Sequence, residues 1–276
     1  MHLSMKTLAG LLAIIVIGAA GCAHSAPRLY APMQPDGWSA QPISITWRFA
    51  PDADLDPATG TPVGDEGYYL YILTQAADWD HSTVKSFLLS LARRPWGHCW
   101  LILESPENRL ECGHNGNFGK LKPDYAAGVN RKYKDGDPNP ISYLWETMSD
   151  GVCEMGNPNR RTPTFVWRMP ITKRRYDLIY GYLMQRKYDQ IGVRANNCVD
   201  MVTDAAKLAG INFVHRMRLT WPAEKKILGQ TVRVWTNPEY RILEFSTPGV
   251  LEVDLRYLAQ FGIGSEATDW YLAWKR

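Results

Sequence analysis

The chain has 276 residues and a formal net charge of +3, from 31 basic and 28 acidic side chains. A charge this small and this evenly spread lacks the basic patch that nucleic-acid binding requires, so no nucleic-acid partner is expected. The length suffices for one large domain with a substantial core.

The first 22 residues have the features of a secretory signal. Lys6 supplies a positive charge, and Leu8–Ala20 is an apolar run of 13 residues, too short to span a bilayer as a helix. Small residues then lead into Cys22. The pattern resembles a bacterial lipoprotein signal, which implies lipid attachment at Cys22. Ordinary secretion, with cleavage near Ala23 or Ala26, remains the alternative.

The segment after Cys22 predicts where the protein resides. Ala23 and His24 follow it and give no sign of retention in the inner membrane. We therefore expect a periplasmic protein held by a lipid anchor, in the outer membrane. Residues 23–42 are rich in Pro, Ala and Ser and are typical of a tether. Residues 43–276 are predicted to form a single domain.

Hydrophobic periodicity and turn residues predict a mixed α+β domain with antiparallel strands. Residues 115–163, rich in Gly, Asn, Pro and Lys, are predicted as a long insertion, which is more often functional than idle. The predicted strands are Ile43–Phe49, Tyr68–Leu73, His98–Glu104, Arg109–His114, Ile141–Trp145, Thr164–Arg168, Thr231–Trp235 and Val250–Val253. Helices are predicted at Ser82–Arg93, at Thr172–Lys187, in a short segment opened by Trp221 and Pro222, and from Cys198 to Gly210.

Cys198 is the candidate nucleophile. Asn196 and Asn197 precede it and are good N-cap residues. Apolar residues repeat at helical spacing after it, and a glycine ends the pattern: Val199, Val202, Ala206, Ala209 and Gly210. The first turn of a helix favours a thiolate, because free backbone N–H groups and the helix dipole stabilise negative charge. The backbone N–H of Cys198 is also a natural oxyanion donor.

His98 is the candidate general base, since it opens a predicted strand and a thiol nucleophile needs a base. The base needs a third group to orient it, and the next strand offers two. If the apolar residues of the hairpin share the core face, His98 and Glu111 share the other face. A bulge at Gly113 would instead bring His114 beside His98. Glu111 is preferred, and His114 is the competitor.

Four cysteines remain after Cys22, and an oxidising periplasm permits two disulfides. The same alternation of faces puts Cys99 and Cys112 together, away from His98, where they could be linked. A disulfide that includes Cys198 is the structural alternative to catalysis. No Cys-x-x-Cys or His-x-x-x-His spacing occurs, so no metal or other cofactor is expected.

Three segments together resemble the circularly permuted branch of the papain-like NlpC superfamily, which includes YiiX-like proteins and lecithin:retinol acyltransferase. In ordinary NlpC peptidases the Cys helix precedes the His strand, whereas the order here is reversed. The segments are Gly97-His98-Cys-Trp-Leu-Ile-Leu, Leu110-Glu111-Cys-Gly-His114 and, after Tyr188, Asn196-Asn197-Cys198-Val-Asp. The resemblance implies a permuted papain-like fold in which an antiparallel sheet packs against the Cys helix. It implies Cys198 as nucleophile, His98 as base, and Glu111 or His114 as third member.

The resemblance leaves the substrate open, because such proteins cleave amide bonds in cell-wall peptides or transfer acyl groups from lipids. The predicted location favours a cysteine amidase or endopeptidase that acts on peptidoglycan stem peptides. The alternatives are a lipid esterase or acyltransferase with the same site, and a non-catalytic lipoprotein that binds the envelope.

Overall fold

The computed structural model describes residues 31–93, 97–116, 151–192, 194–227, 229–233 and 241–276. Within these ranges the chain is a mixed α plus β protein with antiparallel sheets and five helices, so the predicted α+β class is confirmed. The predicted signal peptide with Cys22, and the strand predicted at Ile141–Trp145, lie outside the described residues. No helix within the described ranges is both long enough and apolar enough to cross a membrane.

The described secondary structure follows the predicted order through the Cys198 helix except for β5, a strand at Gly151–Met155 that the sequence analysis does not predict. The strands are β1 (Ser39–Phe49), β2 (Tyr69–Gln75), β3 (His98–Glu104), β4 (Arg109–Gly116), β5 (Gly151–Met155), β6 (Phe165–Pro170), β7 (Ile211–Thr220), β8 (Glu224–Ile227), β9 (Gln230–Arg233), β10 (Ile242–Phe245) and β11 (Ser265–Glu266). The helices are α1 (Val84–Arg93), α2 (Lys173–Gln185), α3 (Cys198–Leu208), α4 (Pro248–Gln260) and α5 (Thr268–Trp274).

Six strands form the central sheet, in the order β11-β6-β2-β3-β4-β5, and each neighbouring pair is antiparallel. Both faces at its centre are covered, which explains why β3 is buried along almost its whole length. One face contributes to the main core with α2, α3 and α4, through Ile179, Val202 and Leu255. The other face forms a smaller core with α5, through Trp100 and Tyr271.

A second, three-stranded antiparallel sheet has the order β1-β7-β10. Its core is rich in aromatic rings, which include Trp38, Trp79 and Phe87. Trp38 is completely buried, and β1 begins at Ser39. The described structure therefore includes part of residues 23–42, which the sequence analysis predicts as a tether. The high Pro, Ala and Ser content of that segment favoured the tether prediction, although Trp38 within it packs in a core.

Two predictions for the C-terminal part are wrong. Val250–Val253, predicted as a strand, lies in α4, whose N-cap residue is Thr247 and whose first turn contains Pro248. A Thr-Pro pair is a helix-start signal, and the apolar residues that follow it continue at helical spacing: Leu251, Leu255 and Leu258. Trp221 and Pro222 precede the hairpin β8–β9 rather than a short helix.

Candidate active site

The helix that carries Cys198 begins as the sequence predicts. Asn197 is its N-cap, and the side-chain oxygen accepts hydrogen bonds from the backbone N–H groups of Val199 at 2.9 Å and Asp200 at 3.1 Å. The Asp200 carboxylate accepts one from the Asn197 N–H at 3.0 Å, which completes a capping box. Cys198 is thus fixed as the first residue of α3, where the helix dipole favours a thiolate.

The turn into this helix is braced by Arg186. Asn196 adopts a left-handed backbone conformation with φ of 58°, which asparagine tolerates better than most residues. The Arg186 guanidinium donates to the Asn196 side-chain oxygen at 2.7 Å, and the Asn196 amide donates to the carbonyl of Gln190 at 2.6 Å. These hydrogen bonds fix the backbone conformation at Asn196 and so the position of Cys198 two residues later.

His98 lies beside Cys198, as predicted. Each of the two side chains shifts the pKa of the other through hydrogen bonding and charge, and the buried imidazole has its Nε2 atom 3.2 Å from Oε2 of Glu154. The N–H direction is off the line between Nε2 and Oε2, so the contact is an ion pair rather than a linear hydrogen bond.

Charge and hydrogen bonding favour the ionised form of both partners. Burial opposes protonation of His98, but the interactions with Cys198 and Glu154 outweigh it, so the pKa of His98 is raised. A hydrogen bond from the Cys99 thiol is the largest contribution that holds the pKa of Cys198 well below its ordinary value. Burial opposes this effect, whereas His98 reinforces it. Cys198 as a whole residue is partly exposed, whereas Cys99 beside it is buried.

Glu154, on β5, is the carboxylate in contact with His98. Its carboxylate accepts from Asn115 Nδ2 at 2.8 Å and from Asn159, and it pairs with Arg161 at 2.5 Å. Burial alone would raise the pKa of Glu154, but His98 and Arg161 lower it to about 2. The carboxylate is therefore ionised and fixed on several sides, as an orienting group should be.

Gly113, on β4, provides the space in which this contact forms. In the register it pairs with Trp100 on one side and Glu154 on the other. A Cβ atom at Gly113 would lie 3.2 Å from His98 Nε2 and 3.5 Å from Oε2 of Glu154. The register between β3 and β4 is continuous, so the bulge considered at Gly113 does not form. The glycine instead leaves room for an imidazole and a carboxylate to meet.

Glu111 does not contact His98, although the two lie on the same face of the sheet, as predicted. Glu111 pairs with Ile102, four residues along β3 from His98, which is about 13 Å along a strand. Its buried carboxylate accepts from Trp100 Nε1 at 2.9 Å and Tyr271 OH at 2.8 Å, and it pairs with Lys275 at 2.5 Å. Glu111 therefore holds Trp100, whose ring stacks on His98 at a centroid distance of 5.7 Å.

His114 lies on the opposite face of β4 and also does not orient His98. It is completely buried, with Nε2 3.1 Å from the Tyr188 carbonyl and Nδ1 3.4 Å from Arg186. Burial and the adjacent Arg186 lower the pKa of His114, so the ring is neutral and donates to that carbonyl. Its contacts hold the segment before α3 against the sheet. The Tyr188 hydroxyl donates to the Leu183 carbonyl at 3.1 Å and so belongs to the same packing.

The cysteines are arranged differently from the prediction. Cys99 and Cys112 both face the main core, as predicted, but all four described cysteines are free. The Cys99 thiol contacts Cys198, whereas Cys112 contacts Cys153. No cluster of three potential metal-ligating His, Cys, Asp or Glu side chains occurs among the described residues.

Glu154 is the site residue that the sequence reasoning missed. It lies within residues 115–163, which the sequence analysis predicts as an insertion without a strand at this position, so no pairing partner for it was considered. A local signal exists, because Glu154 is flanked by Cys153 and Met155 in a short strand where an isolated carboxylate is unusual. Comparison of the chain with protein-family models, with curated proteins and with solved structures finds no match to any of them.

Proposed function

We propose that this protein is a cysteine hydrolase in which Cys198 is the nucleophile, His98 the general base and Glu154 the orienting carboxylate. The observation that supports this most is the contact of His98 with both the thiol and the carboxylate. A nucleophile, a base and a group that holds the base in one orientation form the constellation of covalent acyl transfer. Glu154 takes the place that Glu111 or His114 occupies in the sequence-based expectation.

The fold that we propose is a permuted papain-like domain of the NlpC type. Three features support it: α3 packs on β3 and β4, Cys198 stands at its N-terminus, and His98 precedes it in the chain on an antiparallel strand. The third residue comes from a neighbouring strand of the same sheet, since β5 pairs with β4.

The chemistry of the first step follows from these positions. In the resting ion pair the thiol proton already lies on His98; the thiolate attacks the carbonyl carbon, and the imidazolium then donates that proton to the leaving amine. The backbone N–H of Cys198, in the first turn of α3, is the proposed donor to the oxyanion. The Asn197, Val199 and Asp200 amides are already engaged in the capping box.

The proposed substrates are amide bonds of peptidoglycan stem peptides, hydrolysed without a cofactor. Support comes from the lipoprotein-like signal that ends at Cys22, which implies a lipid-anchored protein facing the periplasm from the outer membrane. A thiol hydrolase held in that compartment has cell-wall peptides within its reach.

The experiment is to incubate the protein from residue 27 onward with purified muropeptides and, separately, with phospholipid vesicles. The expected result is release of a new amino group from muropeptides, abolished in Cys198→Ala. Release of fatty acid from the vesicles with intact muropeptides would show a lipid esterase or acyltransferase instead. No turnover of either, with a Cys198 that resists alkylation, would indicate an envelope-binding protein.

A further inference from the structure

Two cysteines that the proposed mechanism does not use lie in contact across neighbouring strands. The Sγ atoms of Cys112 on β4 and Cys153 on β5 are 3.6 Å apart. The register pairs Cys112 with Met155 and His114 with Cys153, so the two cysteines form a diagonal pair on the same face of the sheet. Diagonal neighbours on an antiparallel pair are close enough for long side chains to interact.

We propose that Cys112 and Cys153 are a disulfide-forming pair that is oxidised when the protein meets an oxidising compartment. The reaction is an exchange with the disulfide of a thiol–disulfide oxidoreductase. The Cys153 thiolate attacks that disulfide and releases one donor thiol. The Cys112 sulfur, on loss of its proton, then attacks Cys153 Sγ and releases the second donor thiol, so that two protein thiols are oxidised and one donor disulfide is reduced.

The two sulfurs are suited to these different roles. Cys153 is partly exposed and so can be reached by a donor protein. Cys112 is buried, with the Tyr188 hydroxyl 3.2 Å from its sulfur. Burial raises the pKa of Cys112 to about 12, which keeps it a thiol until Cys153 has formed the mixed disulfide. The first attack therefore falls to Cys153 and the second to Cys112.

The other two described cysteines interact with each other. Cys99 faces the main core, and a hydrogen bond from its thiol lowers the pKa of Cys198 at the start of α3. A link between Cys99 and Cys112 would take Cys99 away from Cys198, whereas the sulfurs of Cys112 and Cys153 already lie 3.6 Å apart. The structure therefore favours a Cys112–Cys153 link over the Cys99–Cys112 link that strand alternation alone suggests.

The link would have a consequence for the active site, and this part rests on the proposed function. Cys153 immediately precedes Glu154, so a covalent bond to β4 fixes the strand that supplies the orienting carboxylate. It also joins two residues that are 41 positions apart in the sequence. Closing such a loop restricts the unfolded chain and favours the folded state.

The test is a disulfide map of the full chain after equilibration with a glutathione redox buffer. We expect one linked pair of peptides, with Cys112 and Cys153, while Cys99 and Cys198 are alkylated. Recovery of Cys112 and Cys153 as alkylated thiols at every oxidised-to-reduced ratio would overturn the proposal. A Cys99–Cys112 or Cys99–Cys198 link would overturn it as well.

A second measurement separates the link from its effect on the site. The Cys112→Ala/Cys153→Ala double variant should lose the reductant sensitivity of its unfolding midpoint, which the oxidised wild type shows. Its Cys198 should be alkylated at pH 6 several-fold more slowly than in the oxidised wild type. If the link forms but the alkylation rates agree, the positioning role is wrong and the disulfide stands. If Cys198 is unreactive in both proteins, the proposed function fails and the map is unaffected.

Discussion

Replacing Glu154 with Gln removes the charge beside His98 while it keeps the size of the side chain. At 3.2 Å and an effective dielectric constant of about 20, the attraction between the two charges is about 5 kcal/mol. Arg161, at 2.5 Å from the same oxygen, already neutralises part of the Glu154 charge and so weakens its attraction for His98. We therefore expect a net loss of about 1.4 to 2.8 kcal/mol, which is a ten- to hundredfold fall in the proton affinity of His98.

The assay is the rate of Cys198 alkylation by iodoacetamide as a function of pH. Because the imidazolium stabilises the thiolate, Glu154→Gln should react about tenfold or more slowly than wild type at pH 6. Above pH 9 the two rates should converge, since the thiol then ionises without help. Glu104→Gln is the matched control, because Glu104 is on the same strand as His98 but pairs with Arg109. Superimposable profiles for Glu154→Gln and wild type would refute the assigned role of Glu154.

Three further predictions concern the same site. Cys198→Ala and His98→Ala should each abolish turnover. The double variant should lose no more activity than either single variant, because a nucleophile and its base act as a unit. Multiplicative losses in kcat would contradict a Cys198–His98 dyad. Gly113→Ala should lower kcat about tenfold with little change in the folded content seen by circular dichroism, because its Cβ would lie 3.2 Å from His98 Nε2 and the ring would have to shift by a few tenths of an ångström. An unchanged kcat would show that the contact is not needed. Glu154 has its pKa lowered from 4.5 to about 2, so its charge stabilises the fold above pH 4.5 and that contribution is lost as the pH falls towards 2. Urea titrations of wild type and Glu154→Gln should therefore converge in unfolding free energy over this range, and a constant difference would argue against the ion pair.

The helix that carries the nucleophile was predictable because its signals are local. Asn197 caps it, Cys198 opens it, and Gly210 follows its end. A capping side chain bonds to amides two and three residues away, so the sequence alone contains both partners. The same holds for the hairpin of β3 and β4, whose alternation correctly placed His98 and Glu111 on one face.

The partner of His98 was not predictable in the same way, because alternation gives a face and not a distance. The hairpin turn fixes the register, and Glu104 opposite Arg109 puts Gly113 opposite Trp100. Counting residues from the turn would have shown that Glu111 lies too far along β4 to contact His98. It would not have supplied Glu154, since no local rule decides which later strand pairs with β4.

A buried ion pair is usually weak evidence that a group of residues stabilises the fold, because the cost of removing the charges from water offsets most of their attraction. Here four charges of alternating sign stand next to one another: the Cys198 thiolate, the His98 imidazolium, the Glu154 carboxylate and the Arg161 guanidinium. Each charge has a neighbour of opposite sign, and the four groups together carry no net charge. Arg161 remains partly exposed and so places one end of the series near solvent. Apolar side chains of similar size would fold as well or better at the two buried positions, His98 and Glu154, but they could not hold a thiolate ready at neutral pH. The arrangement is therefore better explained by the reactivity of Cys198 than by the stability of the fold.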